Sequence, residues 1–195
     1  MSTARRASRP RLLITLLAAL GLLMTLTAPA SAGPKTFTAD LSPLNGSGVN
    51  GTATLTAEGS TLTVHIEASG LEAGMLHPQH IHGFDNPSRN AVCPTQDDAD
   101  ELEGLPEEAD DPDKFVALEE GLDDYGPVQL PLEPFPTAED GTIDYTQTFP
   151  INSVKAVRGQ LQNRHIVLHG LTIPGDDGDV YVATLPVACG QIVAN

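Results

Sequence analysis

From Lys35 to Gly83 apolar and polar residues alternate with a period of two, interrupted by turn residues. That period predicts short antiparallel strands. Thr52 to Ala57 runs into the turn Glu58-Gly59-Ser60, and Thr61 to Glu67 then places Leu62, Val64 and Ile66 on one face and polar side chains on the other. Further strands are expected over 142–149, 165–169 and 180–187. Residues 126–136 hold four prolines, which suits a connection or an edge strand because proline cannot donate to a ladder. Beyond the N-terminal region no stretch carries a long amphipathic helix, so the expected fold is an all-β sandwich.

Two segments depart from this pattern. Residues 1–32 read as a secretory signal peptide, with Arg5, Arg6, Arg9 and Arg11 ahead of the apolar run Leu12 to Leu26 and the small residues Ala30-Ser31-Ala32 behind it. A single-pass anchor is the competing reading, but the run is shorter than the ~20 residues of a typical span. Pro29 and the one-sided basic flank favour cleavage. Residues 33–195 would then form one secreted, extracytoplasmic domain with its own core and no stable membrane span.

The second departure is the acidic stretch 97–124, in which half the residues are Asp or Glu and Lys114 is the lone base. It reads as a solvated loop insertion with a short helical turn around Phe115 to Glu120. Asp98 to Gly104 has a faint likeness to the start of a calcium loop, though Leu102 stands where a third acidic ligand belongs and the glycine comes one place late. Calcium is therefore a weak expectation beside a merely hydrated loop. The whole chain carries a formal charge of −16, and the leader holds four of its ten bases and none of its acids. A surface this negative argues against nucleic acid and anionic lipid as partners.

Export would place Cys93 and Cys189 where a disulfide persists, with two free thiols as the alternative. All six histidines follow the leader. His80 and His82 fall in a strand pattern, so both imidazoles would project to one face roughly 7 Å apart at Cα. That spacing suits a shared metal ion, but a lone His-x-His is a weak signal, and its plainer reading is a hydrogen-bonded pair at a strand end. His165 and His169 share a face of a second strand, from which a third ligand is available. His65 lies on the polar face of its strand and is expected to be exposed and unpartnered. Nothing supports a hydrolase: there is no nucleophile elbow and no His-Glu-x-x-His helix.

The run from Gly74 to Asn86, with His77, His80, His82, Phe84 and Asp85, followed by Cys93, resembles the histidine-rich stretch before the first disulfide cysteine of Cu/Zn superoxide dismutases. Ile166 to His169 is similar to that family's later copper-ligand strand, and Val187 to Gly190 to the segment with its second cysteine. Within that superfamily, Ala39 to Gly46 and Ser69-Gly70-Leu71 look closer to chordin-type (CHRD) domains. The resemblance implies a Greek-key β-sandwich or flattened barrel closed by a Cys93–Cys189 disulfide. It further implies one copper ion on His80, His82 and His169, with His77 holding the ligand strands together.

The departures from the family are equally specific. No histidine lies between Cys93 and Arg164, so the bridging histidine and the zinc ligands are missing and zinc is not expected. Pro186 stands where the family has the arginine that guides superoxide, leaving Arg158 and Arg164 as the nearby bases. With the negative charge, this counts against efficient dismutation and leaves open whether the protein is an enzyme. The alternative is a non-catalytic CHRD-type extracellular binding or structural module with vestigial histidines.

Overall fold

The computed structural model describes residues 33–86, 89–99, 114–151, 161–175 and 177–195. The signal-peptide reading of residues 1–32, Arg158 and most of the calcium-like segment lie outside the described residues. Eleven strands are described, together with one short helix. They are β1 (Lys35–Pro43), β2 (Asn50–Glu58), β3 (Thr61–Ser69), β4 (Met75–Leu76), β5 (Gln79–His82), β6 (Val128–Pro131), β7 (Thr137–Ala138), β8 (Thr142–Pro150), β9 (His165–Ile173), β10 (Val180–Gln191) and β11 (Val193–Ala194). The helix, α1, spans Leu118–Tyr125 and starts three residues later than the helical turn expected from the sequence.

The main sheet runs β6-β5-β9-β10-β1-β2-β3-β8, and every pairing in it is antiparallel. It curls because β1 serves two halves. Lys35 to Leu41 pair with β2, whereas Ser42 and Pro43 pair with Cys189 and Ala188 of β10. The chain leaves β3 for the opposite half, returns as β8 onto β3, and crosses again to place β9 between β5 and β10. These over-and-back connections are of Greek-key type. The expected all-β Greek-key sandwich, or flattened barrel, is the architecture observed, and β6, within the proline-rich segment 126–136, is an edge strand.

The inner faces share one core. Leu55, Leu62, Val64 and Ile66 from one half and Ile81, Ile166, Leu168 and Val187 from the other are all completely buried in it. The alternation that predicted β3 is therefore the alternation of core and solvent.

β9 behaves differently, since both its faces are buried from His165 to Gly170. Its inner residues meet the core, while Val167 on the other face packs with Tyr125 and Cys189 beneath α1. The disulfide between Cys93 and Cys189 (Cα–Cα 5.7 Å) belongs to this second layer and fastens the segment after β5 to β10.

Candidate metal centre

The second layer is where the histidines meet. In the β5–β9 register His80 lies opposite Val167 and His82 opposite His165, so His80, His82, His165 and His169 share the face turned away from the core. Of these, His80, His82 and His169 converge, with one ring nitrogen of each within 4.8 Å of the others. Their ring centroids lie 5.1 to 5.7 Å apart. His82 and His169 are buried and His80 is partly open.

The hydrogen bonds fix which nitrogen each ring presents. His82 donates its Nδ1–H to the carbonyl of Gly126 at 2.8 Å, and His169 donates Nδ1–H to the carbonyl of Thr184 at 2.8 Å. Both rings are thereby held in the tautomer whose Nε2 carries a free lone pair. Those two Nε2 atoms and Nδ1 of His80 are buried with no hydrogen-bond partner. Buried polar atoms are normally satisfied, so three converging unpaired nitrogens ask for one acceptor of lone pairs. A metal ion fits that requirement, and the carbonyl-anchored imidazole is the usual arrangement of a metal-binding histidine.

The electrostatics point the same way. Burial lowers the pKa of His80 to about 4. His82 is also lowered to about 4, first by burial and then by its neighbours His80 and His165, against the opposing pull of the Gly126 carbonyl. His169 is held well below the ordinary imidazole value by burial and by His82 and His80. All three rings are neutral near pH 7, which is the form that binds metals.

The surroundings hold this set in place. His77 is fully buried, with Nδ1 2.9 Å from the carbonyl of His169 and Nε2 3.1 Å from that of Glu72. It links the loop entering β5 to β9 at the residue that carries the third imidazole. Glu72 adds a second tie through its carboxylate, which accepts from the Thr172 amide and, at 2.6 Å, from the Thr172 hydroxyl. Gly170 has a φ of +107°, and a Cβ there would collide with the Tyr181 hydroxyl and come within 3.0 Å of His77 Nδ1. Pro186 sits opposite His169 between two register breaks in β10. Having no N–H to give, it suits the break, which turns the Thr184 carbonyl onto His169. The Phe135 ring packs edge-to-face with His80, with centroids 5.3 Å apart.

Other expectations change in detail. His165 shares the histidine face and is buried, with its pKa lowered to about 4 by burial, but it does not belong to the converging group. His65 is not unpartnered: its Nδ1 lies 2.8 Å from the Thr146 hydroxyl, and Glu67 and Asp144 stand 3.5 and 3.6 Å from the ring. Those neighbours sit on the exposed faces of β3 and β8, a cross-strand proximity invisible to a linear reading. Arg164 does not supply an open positive patch. It is 2 % exposed and its guanidinium donates to the Phe84 carbonyl. Asp98, at the head of the calcium-like segment, accepts from the amide and hydroxyl of Thr95.

Sequence reasoning missed Tyr125, Gly126, Thr184 and Phe135. Two of these act through backbone carbonyls, which leave no mark in a sequence. The other two belong to segments that reach the histidines only through the fold.

No protein-family model matches the chain, and no curated protein matches it. Solved structures do match, among them a mutant of superoxide dismutase 5 from Candida albicans at 16 % identity and a TM-score of 0.39. That alignment covers 86 % of this chain and 92 % of the other.

Proposed function

We propose that the protein is an exported copper-binding protein holding one ion on His80, His82 and His169. The reading is carried by the unpaired imidazole nitrogens of the converging His80, His82 and His169, two of them fixed as free Nε2 lone pairs by carbonyl acceptors. Three nitrogen donors suit copper in either oxidation state, and copper stands above zinc in intrinsic affinity for such a set. When bound, copper would supply one-electron redox chemistry. The chain's own residues keep the ligands neutral, oriented and largely out of water, with His80 as the one partly open side. The sequence resemblance to Cu/Zn superoxide dismutases supports the same ion and the same three residues.

The molecule is better suited to holding copper than to rapid dismutation. The base nearest the histidines in sequence, Arg164, is buried on the Phe84 carbonyl, Pro186 stands in place of the guiding arginine, and the net charge, −16 with the leader and more negative without it, repels an anionic substrate. Export is supported by the leader-like residues 1–32 and by the disulfide, a bond that persists in oxidising compartments.

The test is copper titration of oxidised protein comprising residues 33–195, followed by electron paramagnetic resonance. One equivalent of copper with nitrogen couplings from three imidazoles is expected, and the His80→Ala, His82→Ala double variant should take up none. Absence of bound metal at micromolar copper would sink the proposal. It would favour the non-catalytic module in which the histidines are vestigial.

A further inference from the structure

Outside the histidine group, one completely buried titratable side chain touches the site without being a ligand candidate. The ring of Tyr125, the last residue of α1, packs edge-on against His82 with centroids 4.6 Å apart and planes at 65°. Edge-to-face contact of this kind is a favourable and directional aromatic geometry. The next residue, Gly126, supplies the carbonyl that accepts from His82 Nδ1. The end of α1 therefore grips the imidazole twice, by its flank through the ring and by one nitrogen through the carbonyl.

Three observations indicate that the ring, and not the hydroxyl, is what the fold retains. The Tyr125 oxygen is buried and has no hydrogen-bond partner. Its ring joins Val167, Cys189, Leu122 and Cys93 in one cluster that fastens α1 over β9 and β10. One turn back, Gly121 is buried, and a Cβ there would run into the Tyr125 ring and hydroxyl. The helix thus has room for this ring in this pose because residue 121 lacks a side chain.

We infer that Tyr125 is a positioning residue for the metal-binding histidines, whose ring holds His82 in the orientation that keeps Nδ1 on the Gly126 carbonyl and so aims Nε2 at the nitrogens of His80 and His169. The acidic insertion, through α1, then sets the geometry of the centre. For its effect on copper the inference rests on the function proposed above, but its effect on His82 does not.

The experiment uses oxidised protein over residues 33–195 in four variants beside the parent. Nitrogen-15 correlation spectra of the metal-free protein read the tautomer of His82, and copper titration with electron paramagnetic resonance reads the site. The parent and Tyr125→Phe should both show one tautomer, protonated at Nδ1, and the same copper spectrum. Tyr125→Leu should give a mixture of tautomers, at least ten-fold weaker copper binding and an altered spectrum. Gly121→Ala keeps the ring but displaces it, and should do the same even if Tyr125→Leu fails to fold. Leu122→Ala loosens the same cluster without touching His82 and should leave the tautomer unchanged. A single tautomer with unchanged copper binding in the folded Tyr125→Leu or Gly121→Ala proteins would overturn the inference, as would equal changes in Leu122→Ala. Should the parent bind no copper, the proposed function fails while the tautomer spectra still decide the role of Tyr125.

Discussion

The three converging imidazoles and the buried His165 beside them must all stay uncharged, and this sets how the protein responds to acid. An unfolded histidine titrates near 6.5, whereas burial places His80, His82 and His165 at about 4 in the fold. The unfolded chain therefore binds more protons between these values, so stability falls as pH drops from about 6.5 towards 4 and is flat above. Urea midpoints should be alike at pH 7 and 8 and decline steeply at 5.5 and 4.5. A midpoint independent of pH across that window would contradict the buried, neutral set. At the same scale, the unpartnered Tyr125 hydroxyl is a buried polar group whose removal relieves desolvation. Tyr125→Phe should raise stability by about 1 kcal/mol, measured as a higher urea midpoint at constant slope.

At the scale of elements, the site is a junction of β5, β9, the bulged part of β10 and α1, and each is pinned by a different device. Gly170 leaves the space in which His77 and Tyr181 approach β9. Gly170→Ala would meet both a left-handed backbone and a collision, and should destabilise by about 1–3 kcal/mol or more and weaken copper uptake, read by melting and titration. The Cys93–Cys189 bridge closes a separation of 96 residues. Removing it as the double Cys→Ser variant should cost up to about 4.7 kcal/mol and lower the melting temperature. Because the bridge packs with Tyr125, metal affinity should fall too, read by copper titration.

The strands themselves were readable in the sequence because Leu62, Val64 and Ile66 alternate with solvent-facing residues on a half-buried sheet. β9 was only half readable: with both faces buried, its run from His165 to Gly170 has no alternation to betray its length, and it continues to Ile173. α1 starts three residues later than its sequence suggests because glycine at 121 and a run of acids give little helical signal, and packing of Tyr125 on β9 selects the helix instead.

For the whole molecule, charge decides more than any single contact. The net −16 is set against small anions at long range. Any superoxide consumption by the copper-loaded protein should therefore be slow at low ionic strength and rise as salt screens the repulsion. A rate that falls with salt would instead reveal a local attractive field at the site. The same acidity accumulates in the stretch 97–124, which leads into α1, the helix that closes the second layer over the histidines.

The sequence by itself determined the β-rich class, the placing of His80 and His82 on one strand face and the strongly acidic charge. Each of these depends on local period, residue chemistry or a count, which survive in one dimension. The resemblance already singled out His169, but only the tertiary structure brings its ring to His80 and His82 and leaves His165, opposite His82 in the β5–β9 register, outside the converging group. It alone decided the tautomers, since the Gly126 and Thr184 carbonyls are brought to the rings by a helix end and a bulge. It also decided that Arg164 is buried on a carbonyl and that Tyr125 stands against His82. Such contacts join residues far apart in the chain, and their energies arise only when two layers close over one another.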